Sequence, residues 1–184
     1  MQFTELPQCD HDLVTLRRIR ASDLAAWYGY LSLPAVFEHT SWDLRSVDGL
    51  APYVAGVEPS SASSRLRLCI ALRSSDELIG TAGFHSVSPE NRSAEIAYDL
   101  SPSMWGKGVA THVCTVLTGW AHSDAGVLRV QATTLESNER SARVLERCGY
   151  LREGLLRSYR LVRGEPGNFF MYSHVAPAIV AAPK

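Results

Sequence analysis

Residues 101–121 read SPSMWGKGVATHVCTVLTGWA. Pro102 ends a preceding strand, two glycines follow, and apolar residues then recur at helical spacing. The start of a helix exposes free N–H groups and carries about half a positive charge from the peptide dipoles. Gly106 and Gly108 remove side chains that would hold a phosphate group away from the backbone amides of 106–111. The stretch predicts either a pyrophosphate site or simply a tight strand-to-helix turn.

Spacing excludes two nucleotide-binding motifs. A Walker loop needs G-x-x-x-x-G-K-[ST], and here Lys107 lies between the glycines with no Ser or Thr directly after it. The dinucleotide fingerprint G-x-G-x-x-G needs a third glycine where this chain has Thr111. A phosphate bound at this turn must therefore be held in another way.

Composition limits the domain count and the class of partner. The chain has 184 residues, 46% of them hydrophobic, which is enough for one well-buried core and predicts a single domain over 1–184. Its 18 basic and 19 acidic side chains give a net charge of −1, so no field of one sign is available to hold nucleic acid or an anionic membrane. A small-molecule or peptide partner is favoured.

The cysteines and the amino terminus indicate a location. Four cysteines stand far apart, without a C-x-x-C pair: Cys9, Cys69, Cys114 and Cys148. The first residues lack the basic and apolar regions of a signal peptide, and no apolar run reaches the roughly 18 residues that span a bilayer. We therefore expect a cytoplasmic protein with reduced thiols. The six histidines lack metal-site spacings, so no metal is expected.

The amino-terminal part predicts a strand, two helices and a loop. In chain order these are strand 13–20, helix 21–32, helix 41–57 and a serine-rich loop over 58–65. Ser22 or Asp23 is the expected cap of the first helix. The second helix is expected to start near Ser46, although Gly49 and Pro52 weaken its beginning.

The remainder predicts six strands and two helices around the opening stretch. The elements are a hairpin over 66–87 with its turn at 74–77, strand 93–101, helix 107–122, strand 128–136, helix 138–150 and two strands within 151–175. Gly149 ends the second of these helices, and residues 164–167 form the tip of the last hairpin. The order indicates an α+β fold with a βαβ element in the middle.

Two segments carry a family resemblance. The run WGKGVAT, followed about thirty residues later by NERSARVLERCGY, resembles the GNAT acetyltransferase superfamily, specifically its RimJ/RimL-type branch of ribosomal-protein N-terminal acetyltransferases. The resemblance implies a mixed, mostly antiparallel sheet of about six to seven strands with helices on both faces. It also implies acetyl-CoA as cosubstrate, with its pantetheine arm between two splayed strands, one ending at Leu100 and the other over 129–136.

The resemblance assigns residues to acetyl-CoA. Backbone amides of the turn would bind the pyrophosphate, and the matching residues are Trp105, Gly106, Lys107, Gly108, Val109, Ala110 and Thr111. Trp105 stands where the superfamily usually has Arg or Gln. A backbone N–H near Leu100 would hold the acetyl oxygen, Asn138 would bind the pantetheine arm, and Ser141 would lie near the thioester sulfur. Without the resemblance, Asn138 is equally well explained as a helix cap and Ser141 as an ordinary first-turn residue.

Direct attack of an amine on the thioester needs a base, a donor for the carbonyl oxygen and a proton for the leaving thiolate. Asn138, Ser141 and Leu145 have the i, i+3, i+7 spacing of one helical face. Many relatives place a Tyr acid where this chain has Leu145, so Ser141 is the substitute donor. Glu95 is the expected base, acting through water, although it is equally explained as a solvated outward residue. His85 and Asp99 are the next candidates for the base.

The sequence therefore predicts an acetyl-CoA-dependent N-acetyltransferase acting on a primary amine, by analogy the α-amino group of a protein or peptide. The alternatives are acetylation of a small amine, such as a polyamine, aminoglycoside or amino-acid analogue, and a non-catalytic acyl-CoA-binding module. Residues 34–57 and 164–167 would border the acceptor by resemblance. Four aromatic residues are expected to line either an acceptor pocket or the hydrophobic core: Trp27, Tyr28, Tyr30 and Trp42. Exposed sheet edges offer a route to a homodimer.

Overall fold

The computed structural model describes residues 6–54 and 66–177, and seven strands of this part of the chain form one sheet. The strands are β1 (Val14–Arg18), β2 (Leu66–Leu72), β3 (Leu78–Ser88), β4 (Ser93–Leu100), β5 (Arg129–Leu135), β6 (Leu151–Val162) and β7 (Glu165–Val175). The α-helices are α1 (Leu24–Leu31), α2 (Pro34–Phe37), α3 (Val109–Ser123) and α4 (Glu139–Arg147). The predicted α+β class is confirmed.

The order across the sheet is β1-β2-β3-β4-β5-β7-β6. All neighbouring strands are antiparallel except β4 and β5, which run parallel and are joined through α3. A parallel pair needs a crossover connection, and the apolar helical spacing of the opening stretch supplies it. The predicted βαβ element therefore lies at the centre of the sheet.

Side chains of the buried strands point alternately to the two faces of the sheet, so both faces are apolar and helices pack on both. In β2, Leu68 and Ile70 join the core cluster under α3 and α4, whereas Cys69 and Ala71 join the cluster under α1. Burial on both faces explains why β2 and β3 read as continuous apolar runs. The site lies where these two layers meet the end of β4.

Two boundaries differ from the sequence prediction. The predicted helix over 41–57 is a 3-10 turn at Val47–Tyr53, because Gly49 and Pro52 disfavour a continuous α-helix. The end of that helix and the loop over 58–65 fall outside the described residues.

Asp23, one of the two expected caps, stands at the N-cap position of α1, after a 3-10 turn at Ala21–Asp23. Its carboxylate accepts the backbone N–H of Arg20 at 2.7 Å. The second difference is the tip of the last hairpin. The last hairpin turns at Arg163 and Gly164, whose φ angles are 53° and 90°, so its tip is shorter than the predicted 164–167.

Candidate active site

Strands β4 and β5 pair over only three residues each. The register runs from Ser93 opposite Arg129 to Glu95 opposite Gln131. Beyond that point β4 stays with β3 and β5 stays with β7, so the two strands diverge towards Leu100 and Leu135. This is the splayed pair that the resemblance implies.

A cavity of about 360 Å³ opens at the divergence. It is lined by Ala35, Val36, His39, Thr40, Tyr98, Asp99, Leu100, Met104, Trp105, Gly106, Gly108, Val109, Ala110, Thr111, Asn138, Arg140, Ser141, Arg143, Val144 and Arg147. All residues predicted to bind the cofactor are in this lining except Lys107, whose Nζ lies 3.8 Å from Sδ of Met104. The two motifs, far apart in sequence, thus meet around one space.

The glycine turn presents its backbone to that cavity. Gly106 and Gly108 have φ angles of 75° and 78°, which L-residues with side chains rarely adopt. A Cβ built at either position has no atom within 4 Å, so open space rather than protein packing lies there. The first hydrogen bond of α3 joins His112 N to Gly108 O at 3.0 Å, which leaves the N–H groups of 109–111 before it without helical partners. The turn has the features of an anion cradle and fits a diphosphate.

Trp105 connects the glycine turn to the preceding strand β4. Its indole Nε1 donates to the main-chain oxygen of Leu100 at 2.9 Å. The guanidinium carbon of Arg140 lies 4.2 Å from the centre of its ring, a cation–π contact that connects the turn with α4. Trp105 therefore has a positioning contact on each side of the cavity.

The start of α4 is built around Asn138. Its side-chain oxygen accepts the Ser141 amide at 3.1 Å, as expected for a helix cap, and its amide nitrogen donates to the main-chain oxygen of His39 at 2.9 Å. Both polar ends of Asn138 thus have protein partners. Leu145, the third residue of the predicted face, is buried in the core and does not line the cavity.

Tyr98 was not singled out by the sequence, although strand alternation separates it from Glu95 and Asp99. Its hydroxyl lies 2.9 Å from the Ser141 Oγ and donates to the Ser141 carbonyl at 3.1 Å. Burial raises the pKa of Tyr98 well above its usual value, so the phenol stays protonated. The structure thus places a pair of hydroxyl groups in the cavity wall.

Glu95 lies outside the cavity lining. Its carboxylate is buried, accepts hydrogen bonds from Thr133 Oγ1 at 2.6 Å and from Arg160 at 3.1 Å, and has His85 Nε2 at 3.8 Å. Arg160 comes from β6, so this ion pair ties the centre of the sheet to its edge.

Asp99 has even more partners. Its carboxylate accepts from Trp27 Nε1 at 3.1 Å and Thr81 Oγ1 at 2.8 Å, and also from Tyr30 and Arg67. These groups lie on the α1 side of the sheet. These four hydrogen bonds make Asp99 part of the buried scaffold.

The aromatic residues of the first helix divide between core and cavity. Trp27 and Tyr30 are buried in the cluster under α1. Tyr28 and Trp42 line a separate cavity of about 150 Å³, which α2 and its flanking residues border. Tyr28 and Trp42 also pack against the cluster under α1, so the core interpretation holds for all four residues, and an acceptor pocket at this cavity stays a prediction.

Comparison with known proteins identifies the class. The family model for the acetyltransferase (GNAT) domain matches residues 14–151. The uncharacterised N-acetyltransferase YoaA of Bacillus subtilis is 30% identical over 175 residues, covering 93% of this chain and 98% of the relative. The chain is an acetyl-CoA-dependent acetyltransferase. It belongs to the GNAT family.

Two further comparisons concern the branch and the fold. The ribosomal-protein-serine acetyltransferase of Escherichia coli is 27% identical over 100 residues, covering 54% of this chain and 56% of that protein, which supports the RimJ/RimL-type resemblance. The spermidine N-acetyltransferase of Vibrio cholerae, solved with CoA and spermine, superposes with a TM-score of 0.76 at 18% identity, covering 90% of this chain and 96% of that one. The latter shows the shared fold.

Two features are absent from residues 6–54 and 66–177. No group of three or more His, Cys, Asp or Glu side chains there is placed to hold a metal ion. None of the helices in this part is long and apolar enough to cross a membrane.

Proposed function

We propose that the protein transfers the acetyl group of acetyl-CoA to the α-amino group of a protein or peptide, in one domain and in the cytoplasm. The open glycine turn at the divergence of β4 and β5 is the observation that supports an acetyl-CoA site here. The diphosphate would lie on the amides of 106–111, and the pantetheine arm would run between the strands towards Ser141.

The charges around the cavity favour a peptide over a polyamine. A polycation needs several carboxylates, and the lining offers only Asp99 among the described residues, which already accepts four hydrogen bonds. The E. coli relative, named as acting on a ribosomal protein, points the same way. The spermidine enzyme shares only the fold, so small amines serve as the alternative in the test.

Ser141 and Tyr98 would stabilise the thiolate that leaves as CoA. The pair lies at the first turn of α4, where the resemblance puts the thioester sulfur, and either hydroxyl can donate a hydrogen bond to a developing thiolate. Glu95 remains the predicted water-linked base. Glu95→Gln also breaks the ion pair with Arg160, so its kcat is compared with that of Arg160→Gln, which breaks the same pair and keeps the carboxylate.

The test is CoA release across an amine panel, with mass spectrometry of the products. Peptides with free α-amines, the same peptides blocked at the α-amine but bearing lysine, and spermidine make up the panel. Acetylation confined to free α-amines supports the proposal, and turnover confined to spermidine overturns it. Tight acetyl-CoA binding without turnover of any amine identifies a binding module. Wild-type rates in both Ser141→Ala and Glu95→Gln at every pH would remove those two assignments.

A homodimer is also part of the proposal. β6 is an edge strand and exposes Leu151 and Leu161, which are 73% and 69% accessible. Such an edge is open to pairing with a second chain. Light scattering with Leu161→Lys against wild type tests it: a dimer that becomes monomeric is expected, and a wild-type monomer contradicts it.

A further inference from the structure

One part of the cavity lining lies outside the proposed acetyl-CoA site. The end of β4, the glycine turn and α4 supply the parts that would face the cosubstrate. The rest of the lining comes from α2 and the residues directly after it, and we call residues 35–40 the acceptor wall. Its lining members are Ala35, Val36, His39 and Thr40. An amine that attacks the thioester needs a surface that acetyl-CoA leaves free, and the acceptor wall is that surface.

Arg163, in the turn between β6 and β7, binds the backbone of the acceptor wall. Its Nη1 donates to the carbonyls of Phe37 and Thr40 at 3.1 and 2.9 Å, and its Nη2 donates to that of Glu38 at 3.5 Å. Its guanidinium carbon also lies 4.5 Å from the centre of the Phe37 ring. A guanidinium has five N–H donors in one plane, so a single arginine can bind several carbonyls at once.

The backbone of Arg163 is a second observation that points to a role for its side chain. Arg163 and Gly164 are the central residues of the hairpin turn, with φ angles of 53° and 90°. A turn with two positive φ values strongly prefers Asn, Asp or Gly at its first central position, because other L-residues are strained there. Arginine therefore makes this turn less favourable, and strained backbone of this kind is concentrated at functional sites.

We propose that Arg163 is a positioning residue for the acceptor: it holds the acceptor wall at the distance from α4 that brings the amine to the thioester. This inference rests on the proposed function and concerns the acceptor side of the same cavity. Arg163 is outside the cavity lining, so it acts through the wall and not by touching the amine. Asn138 of α4 binds the carbonyl of His39, so the wall is held from two sides. A wall fixed in advance lowers the entropy cost of orienting the acceptor.

Arg163→Asn separates a positioning role from a role in stability. Asn suits the left-handed turn, so the free energy of unfolding should not fall, although the contacts with the acceptor wall are lost. We expect kcat/KM for a peptide with a free α-amine to fall about tenfold while the Kd of acetyl-CoA, measured by calorimetry, stays unchanged. Hydrogen exchange followed by mass spectrometry should be faster over 35–40. Arg152→Asn is the matched control: Arg152 is also in β6 and lies over the Phe170 ring at 4.7 Å, and its loss should leave kcat/KM unchanged.

Arg163→Lys keeps the charge but offers the carbonyls a single nitrogen, so its kcat/KM should lie between those of wild type and Arg163→Asn. A wild-type kcat/KM for the peptide in Arg163→Asn overturns the positioning role, whether or not exchange becomes faster, and leaves the proposed function standing. Equal weakening of acetyl-CoA binding and peptide turnover also overturns it, because the effect is then not specific to the acceptor. A wild-type protein that acetylates no peptide α-amine overturns the proposed function and this inference together.

Discussion

Asn138 Nδ2 donates a 2.9 Å hydrogen bond to the main-chain oxygen of His39, across 99 residues of sequence. The oxygen of the same side chain caps α4 through the Ser141 amide. One residue therefore sets the first turn of α4 and the segment opposite it in a single arrangement. The distance across the cavity depends on this residue.

Replacing Asn138 by Asp separates its two contacts. Asp keeps the cap acceptor and suits a helix N-terminus, so the free energy of unfolding should stay near that of wild type. It removes the donor to His39, so kcat should fall about tenfold. Asn138→Ala loses both contacts and should also destabilise by about 1 kcal/mol. Chemical denaturation and acetyl transfer measure the two effects, and full activity in Asn138→Asp would refute the positioning role.

Gly108→Ala tests the anion cradle. The left-handed φ of 78° should make it destabilising by about 1–2 kcal/mol. Its new methyl group would occupy the open space of the turn, so acetyl-CoA should bind about tenfold more weakly. Gly119→Ala is the matched control: it lies within α3, has open space at Cβ, and should stabilise by about 0.5–1 kcal/mol without changing affinity. Equal acetyl-CoA affinities for the two variants would count against the cradle.

Tyr98→Phe removes a hydroxyl that faces Ser141, and Tyr150→Phe removes one that is 2.7 Å from Thr118 in the core. Both tyrosines are hydrogen-bonded and substantially buried, so each variant should lose about 1 kcal/mol of stability. Only Tyr98→Phe should lower kcat, by about tenfold to a hundredfold. Steady-state kinetics of the two proteins, compared at equal folded fraction, decide whether the Tyr98 hydroxyl has a role beyond stability.

The ion pair between Arg129 and Glu153 predicts a pH dependence of stability. Hydrogen bonds from Arg129 at 2.8 and 2.5 Å, and then from Ser173, lower the pKa of Glu153 to about 2. A depressed acid pKa stabilises the fold above the unfolded value near 4.5, and this contribution is lost as pH falls from there towards 2. Because the Glu153 side chain is 42% exposed, we expect only about 1 kcal/mol.

Urea unfolding of Glu153→Gln at pH 7 and at pH 2.5 measures this contribution. The variant should be less stable than wild type at pH 7, and the difference should be much smaller at pH 2.5. Glu90→Gln, in the exposed turn between β3 and β4, is the control and should match wild type at both values. A Glu153→Gln deficit that grows on acidification would contradict the assignment.

Local patterns were enough to predict most of the sheet and the glycine turn. Strand alternation, the helical spacing after Gly108 and the cap at Asn138 all act within a few residues, so each is visible in the printed chain. The resemblance added the splay of β4 from β5. Where local signals conflicted, as with Gly49 and Pro52, the helix boundary was wrong.

The long-range contacts of Glu95 and of the segment around His39 could not be predicted from local patterns. Glu95 pairs with Arg160, which lies 65 residues further along the chain, and nothing near Glu95 in sequence indicates this. His39 follows a four-residue helix that has no strong periodic signal, and its position depends on Asn138 and Arg163. Long-range pairing of this kind depends on the complete tertiary structure.

We propose that main-chain amides of the turn over 106–111 bind the diphosphate of acetyl-CoA. Titrating 15N-labelled protein with acetyl-CoA and following its amide resonances tests this most directly. We expect saturable shifts that are largest for Gly106, Gly108 and the first turn of α3, and much weaker ones with acetyl-pantetheine, which has no diphosphate. Saturation that leaves these amides unmoved, or no saturation at all, would contradict it.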